Sequence, residues 1–147
     1  MCKLHIFLLA VIIPKVFLLE LSVENSCGHT VWLATTPNFG QDPLPGGNIK
    51  VDPGQRYVYQ IPNKGWAGRF WPKTGCNSGG DECEFGQSSP PCPSQGCQPP
   101  ADTKVEFNFP PQPPQADSWY DISLVDGYSL PMKIVPRGVD QVILLIF

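Results

Sequence analysis

Proline and glycine interrupt this chain so often that little but short strands fits between them. They total 32 of 147 residues, 18 Pro and 14 Gly. Each proline removes a backbone donor and fixes φ, and each glycine adds backbone freedom, so both work against long helices. No segment carries a long 3.6-residue apolar period, and no internal repeat is visible. Apolar residues make up 41% of the chain, too many for a disordered segment, and there is no G-X-Y period of the collagen kind. Charged residues make up only 16%, against roughly 25% in an average soluble domain, which excludes a charged helical bundle or coiled coil. The length allows one domain, or two small ones. The expected class is a loop-rich, all-β, secreted domain.

The segments between the breakers support that class. Leu21–Asn25 alternates, and Thr30–Ala34 is β-branched and aromatic. Asn38–Gly47 is a Pro/Gly loop. Asn48–Val51, the turn Asp52-Pro53-Gly54-Gln55 and Arg56–Ile61 read as a hairpin. Lys104–Phe109 alternates strictly, with Val105, Phe107 and Phe109 on one face and Lys104, Glu106 and Asn108 on the other. Trp119–Leu124 places Tyr120, Ile122 and Leu124 opposite Trp119, Asp121 and Ser123. Asp126-Gly127 is a turn signal, and Tyr128–Val135 reads as the strand that completes a second pair. The sum is an antiparallel β-sandwich or barrel.

Both ends and the cysteines add constraints. Lys3 precedes an apolar run, Leu4–Ile13, too short to span a bilayer as a helix. Residues 1–20 are expected to be a secretory signal cut between residues 17 and 22; the alternatives are an uncleaved anchor or a misassigned first exon. Removing the signal removes Cys2 and leaves five cysteines, an odd count for a secreted protein. Six residues separate Cys76 from Cys83 and four separate Cys92 from Cys97, and both separations suit local disulfide loops. Zinc is the rival reading, but there is no C-x-x-C and no histidine beside these cysteines. Cys27 is left without a partner. The region 76–103 needs cross-links to order it. The apolar tail, 139–147, is either a final buried strand or the sign of a chain that stops early, and the unpaired Cys27 favours the second.

Net charge is −3, with 8 basic and 12 acidic side chains beyond residue 20. A phosphate-binding surface needs the opposite sign, so no nucleic-acid partner is expected. No stable membrane span, metal or cofactor is expected either, and no phosphate loop or Ser-His-Asp set occurs.

Four separated motifs then carry a family resemblance. Gly65–Cys76 (GWAGRFWPKTGC) resembles the W-x-G-R-x-W-x-R-T-G-C stretch of thaumatin-like proteins, the pathogenesis-related family 5 that includes osmotin-like proteins. Tyr120–Met132 (YDISLVDGYSLPM) resembles that family's Y-D-V-S-L-V-D-G-Y-N-L-P-M. Pro99-Pro100 with Val105-Glu106-Phe107, and Asn25-Ser26-Cys27 with Thr30-Val31-Trp32, resemble two more of its segments in the right order. The resemblance covers residues 21 to about 138. It implies an antiparallel β-sandwich with a disulfide-tied loop region beside it. Three departures stand out: Ser89-Pro90-Pro91-Cys92 replaces T-G-D-C, Lys73 replaces an arginine, and the family continues well past Pro131-Met132. The family's pattern implies the disulfides Cys76–Cys83 and Cys92–Cys97. It also makes Cys27 the orphan of a C-terminal truncation, so that 21–138 is a partial domain.

The resemblance further implies an acidic cleft that carries over as Arg69, Glu106, Asp121 and Asp126. Alternation agrees in part, since Glu106 and Asp121 lie on polar strand faces and Asp126 in the following turn. Two carboxylates can flank a glycosidic bond, about 5–5.5 Å apart for retention and roughly 6.5–9.5 Å for inversion. Glu106 would then be the acid, while Asp121 would orient water or stabilise the oxocarbenium-like charge. Arg69 would keep a neighbouring carboxylate ionised, and Trp66, Trp71, Tyr120 and Tyr128 would offer rings to sugar faces. The plainer readings are a structural ion-pair network and core aromatics. The implied function is a secreted, monomeric defence protein that binds β-1,3-glucan of fungal cell walls, with endo-β-1,3-glucanase activity at most weak. The alternatives are a non-catalytic membrane-perturbing or protein-binding module, and a truncated product that folds poorly.

Overall fold

A computed structural model of the protein describes residues 19–87, 102–111, 117–137 and 142–146. The chain forms nine strands there: β1 (Leu19–Glu24), β2 (Val31–Pro37), β3 (Ile49–Val51), β4 (Arg56–Ile61), β5 (Trp66–Lys73), β6 (Lys104–Phe109), β7 (Trp119–Ser123), β8 (Lys133–Arg137) and β9 (Val142–Ile146). They build a four-stranded sheet in the order β4-β1-β9-β8 and a five-stranded sheet in the order β3-β2-β5-β6-β7. The pairings are antiparallel except that of β1 with β9, which is parallel. The all-β sandwich expected from the sequence is the fold observed. The expected signal boundary at residue 20 falls inside β1, where Leu19 pairs with Ile61 and Glu20 with Gln60. Residues 142–146 of the apolar tail are a strand between β1 and β8. Cys2 and the rest of the leader, and the Cys92–Cys97 pair with Pro99-Pro100, lie outside the described residues.

The two sheets share one core. Leu21 and Val23 of β1 and Tyr59 and Ile61 of β4 face Leu33 of β2, Phe70 of β5, and Val105 and Phe107 of β6. The Phe70 ring is fully buried and sits 5.3 Å from Tyr59, 5.5 Å from Trp66 and 5.8 Å from Phe107, tilted or edge-on in each case. Such contacts favour the positive ring edge meeting a negative ring face.

Both turns read as hairpins are instead corners between sheets. β3 pairs with β2 and β4 with β1, so Asp52–Gln55 carries the chain from one sheet to the other. Buried Asn25 holds this corner in place. Its carbonyl accepts from Gly54 N–H (2.8 Å), its N–H donates to Gln55 O (3.1 Å), and its amide donates to Val51 O (2.8 Å). Likewise β7 pairs with β6, whereas β8 pairs with β9 in the other sheet. Turn chemistry reports that the chain reverses, not which strand each flank will pair with.

β5 is a strand that alternation alone did not reveal. It sends large rings to both faces, Trp66 and Phe70 inward and Trp71 outward, and contains Gly68 and Pro72. Pro72 lies opposite Leu33 of β2 and past the end of the β6 register, which stops at Phe70–Val105.

A loop, 74–86, folds back over the outer face of β5. A Thr74–Phe85 bridge closes it, and a Cys76–Cys83 disulfide spans it. Trp71 Nε1 donates to Gly86 O (3.0 Å), and the buried Lys73 Nζ donates to Gly80 O (2.5 Å). Gly80 and Gly86 both have positive φ. A Cβ on Gly80 would lie 2.5 Å from the Trp32 ring, and one on Gly86 would lie 2.2 Å from Pro72 O. Only glycine lets the loop approach the sheet this closely.

Phe70→Ala should open a cavity between the sheets and lower stability by about 3–5 kcal/mol, read as a fall in the urea unfolding midpoint. A change under about 1 kcal/mol would contradict the packing described.

Candidate binding site on the outer face of the five-stranded sheet

Period-two alternation that points Phe70, Val105 and Phe107 inward points Arg69 and Glu106 outward. Register then aligns them. Thr36 lies opposite Arg69, Arg69 opposite Glu106, and Glu106 opposite Asp121. Four strands thus contribute one cross-strand row, and three of the four residues predicted for the cleft fall in it. Side chains directly opposite in an antiparallel pair have Cβ atoms about 4.5–5.5 Å apart, and like charges so placed repel. Glu106 therefore meets Asp121 on one side and its counter-charge, Arg69, on the other. The Arg69 Nε–Glu106 Oε1 distance is 3.8 Å, an ion pair beyond hydrogen-bond reach, and both side chains are about a third exposed. Arg69 Nε is itself buried and has no hydrogen-bond partner among the described residues.

The fourth predicted residue, Asp126, comes from the loop between β7 and β8. The buried Lys104 Nζ donates to its Oδ2 at 2.5 Å. The loop is anchored beside this contact: Ser129 N–H donates to Thr103 Oγ1 (3.0 Å), and Leu130 is buried. The Lys104 hydrogen bond and charge, with a smaller contribution from Arg69, hold the Asp126 carboxyl below its ordinary value of 3.8. Alternation groups Lys104 with Glu106 and Asn108 on the face opposite Val105, Phe107 and Phe109. Lys104 is nevertheless only 1% exposed, because the 124–130 loop folds over it.

The predicted sugar-stacking rings mostly do other work. Trp66 is in the core, and Trp71 lies beneath loop 74–86. Tyr120 packs toward Phe107, 6.2 Å between centroids. Tyr128 is exposed. The ring beside the row is one not proposed from sequence, Trp119. It is 55% exposed, lies opposite Asn108, and shares the outer face with Asp121 two residues along. The signal was present in the alternation, which grouped Trp119 with Asp121.

An open groove of about 570 Å³ lies between loop 74–85 and β2–β3, lined by His29, Trp32, Lys50, Asn77, Glu84 and Phe85 among others. None of the four cleft residues lines it. Cys27 has no disulfide partner among the described residues; it is half-buried against the core, and burial raises its pKa. Among the described residues no group of three or more His, Cys, Asp or Glu is placed to hold a metal ion, and no helix is long and apolar enough to cross a membrane.

Residues 25–144 match the model of the Thaumatin family. The chain belongs to the thaumatin family. Among thaumatin-family relatives, a "Thaumatin-like protein" of Arabidopsis thaliana is 40% identical over 76% of this chain and 46% of its own length. A "Glucan endo-1,3-beta-glucosidase" of Prunus avium is 33% identical over 80% of this chain and 49% of its own. The solved structure of the thaumatin-like xylanase inhibitor TLXI shares the fold at a TM-score of 0.63 and 18% identity, covering 86% of this chain and 97% of that one. This thaumatin-family chain spans about half the length of the curated relatives it matches.

The Lys104–Asp126 contact gives a pH dependence of known sign. Asp126 titrates lower in the folded chain than unfolded, so its contribution to stability is complete above pH 3.8 and is lost as pH falls through the folded value. Asp126→Asn should therefore lower the thermal midpoint at neutral pH, with the gap from the native protein closing in strong acid. A gap that is independent of pH would contradict the assignment.

Proposed function

We propose that this chain is a secreted, extracellular defence protein that binds β-1,3-glucan of fungal cell walls through the outer-face row. The observation that carries the proposal is the alignment of Arg69, Glu106 and Asp121 in one cross-strand row, with Asp126 at its side and the exposed Trp119 indole on the same face. Sugars are recognised by hydroxyl groups that both donate and accept, and by flat C–H faces. Carboxylates accept from hydroxyls, a guanidinium donates to them, and an indole takes a sugar face. Family membership supports the reading, as does the name of the Prunus avium relative. Matches to pathogenesis-related 5 proteins support the defence role.

Binding rather than turnover is the activity proposed. Glu106 faces Arg69, and Asp126 is taken up by Lys104, so two of the three carboxylates are already matched to cations. Glu106 and Asp121 remain the pair on which hydrolysis would depend, as acid and as the carboxylate that orients water.

A second reading rests on a different observation. Ile122, Leu124, Val125 and Tyr128 form an exposed apolar run along β7 and the loop after it. Such a run suits a protein or membrane surface.

The test is co-sedimentation with insoluble β-1,3-glucan. The native protein should be retained, and Glu106→Ala/Asp121→Ala should weaken retention at least tenfold, about 1.4 kcal/mol. Release of reducing ends should stay at background. Equal retention of both proteins would sink the site assignment, and vesicle leakage without glucan retention would establish the second reading instead.

A further inference from the structure

Among the described residues two lysines have buried side chains, and they end differently. Lys73 donates to the Gly80 carbonyl and pins a loop. Lys104 donates to a carboxylate of the candidate site. The two ends of that contact lie in different surroundings: the Lys104 side chain is 2% exposed and that of Asp126 is 57% exposed. An ammonium taken out of water is costly unless paired, so Lys104 ties its own burial to the position of a carboxylate that still faces solvent. The Ser129–Thr103 hydrogen bond fixes the loop backbone beside the same contact.

We propose that Lys104 is a positioning residue of the glucan site, holding the Asp126 carboxylate in place as an acceptor for sugar hydroxyls beside the Arg69–Glu106–Asp121 row. The inference rests on the reading of the site given above and goes beyond it by naming a residue that touches no sugar. The charges acting on Asp126 are Lys104 from β6 and Arg69 from β5, while Glu106 and Asp121 stand in the row next to it. The part of retention that depends on Asp126 should consequently persist into acid below the ordinary aspartate range. The lysine also changes the balance of the site. With Arg69 and Lys104 against Glu106, Asp121 and Asp126, its net charge is −1 (2 − 3), close to neutral and suited to an uncharged glucan.

The experiment uses Lys104→Met, which keeps chain length without charge, and Lys104→Arg, which keeps charge. Two readouts are followed between about pH 3 and 7: retention on insoluble β-1,3-glucan, and the titration of the Asp126 carboxyl by carbon NMR. Lys104→Met should weaken neutral-pH retention about tenfold and move the acid loss of retention to higher pH. It should also raise the Asp126 midpoint, and Lys104→Arg should recover most of each effect. A purely structural lysine would lower stability while leaving the retention profile and the Asp126 midpoint alone, and that result would overturn the proposal. If Lys104→Met does not fold, Asp126→Asn takes its place: it should reproduce the neutral-pH weakening and abolish the part of the acid dependence due to Asp126, and native-like retention there would overturn the proposal. Absence of retention by the native protein at every pH would reject the glucan reading itself. The Asp126 midpoints would then separately decide whether Lys104 holds the carboxylate.

Discussion

The register of β5, β6 and β7 is the constraint on which the rest of this structure depends. Side chains on a strand alternate with a period of two, so a slip of one residue exchanges the two faces completely. In the observed register Phe70, Val105 and Phe107 close the core, and Arg69, Glu106 and Asp121 line up outside it. One residue of slip would bring the guanidinium and carboxylates into the sandwich and turn the rings out to water. The aromatic contacts of Phe70 with Tyr59, Trp66 and Phe107 thus fix more than stability. They select the single alignment in which the charged row exists.

The outer face is then shaped by what folds over it. Loop 74–86 covers Trp71 and Lys73, and loop 124–130 covers Lys104. Each loop is held by a buried lysine with its polar end satisfied, one with the Thr74–Phe85 bridge at its base and the other with the Ser129–Thr103 hydrogen bond. The row lies two residues along from Trp71 and Lys104, beside both covers, and ends at β7, the last strand of its sheet. Two surfaces of different chemistry result. The row is rich in matched charges with Trp119 at its side, whereas the groove beside Trp32 and Phe85 contains none of the row's charged residues.

Much of this was legible in the sequence, and the gaps have physical reasons. Strict alternation in Lys104–Phe109 gave β6 its bounds and Glu106 its outward face, and the motifs pointed to Arg69, Asp121 and Asp126 together. Alternation could not reveal β5, whose rings face both ways around Gly68 and Pro72. The turns at Asp52–Gln55 and Asp126-Gly127 were correctly read as reversals but wrongly as hairpins. Pairing partners are chosen by contacts distant in sequence, such as those of Asn25 with residues 51–55. Alternation gives the face of Lys104 but not its burial, because its partner Asp126 lies 22 positions later. Trp119 was placed on the correct face, yet Trp66 and Trp71 were preferred to it as sugar platforms. Only the packed structure shows those two to be buried.

The role of the outer-face row can be tested most directly by titrating the isotopically labelled protein with a soluble β-1,3-linked glucose oligomer and following chemical shifts. The expected result is a saturable set of changes confined to the Trp119 indole, the Arg69 guanidinium and the side-chain carboxyls of Glu106, Asp121 and Asp126. Saturable changes centred instead on Trp32, Lys50 and Phe85, or no changes at any sugar concentration, would contradict it.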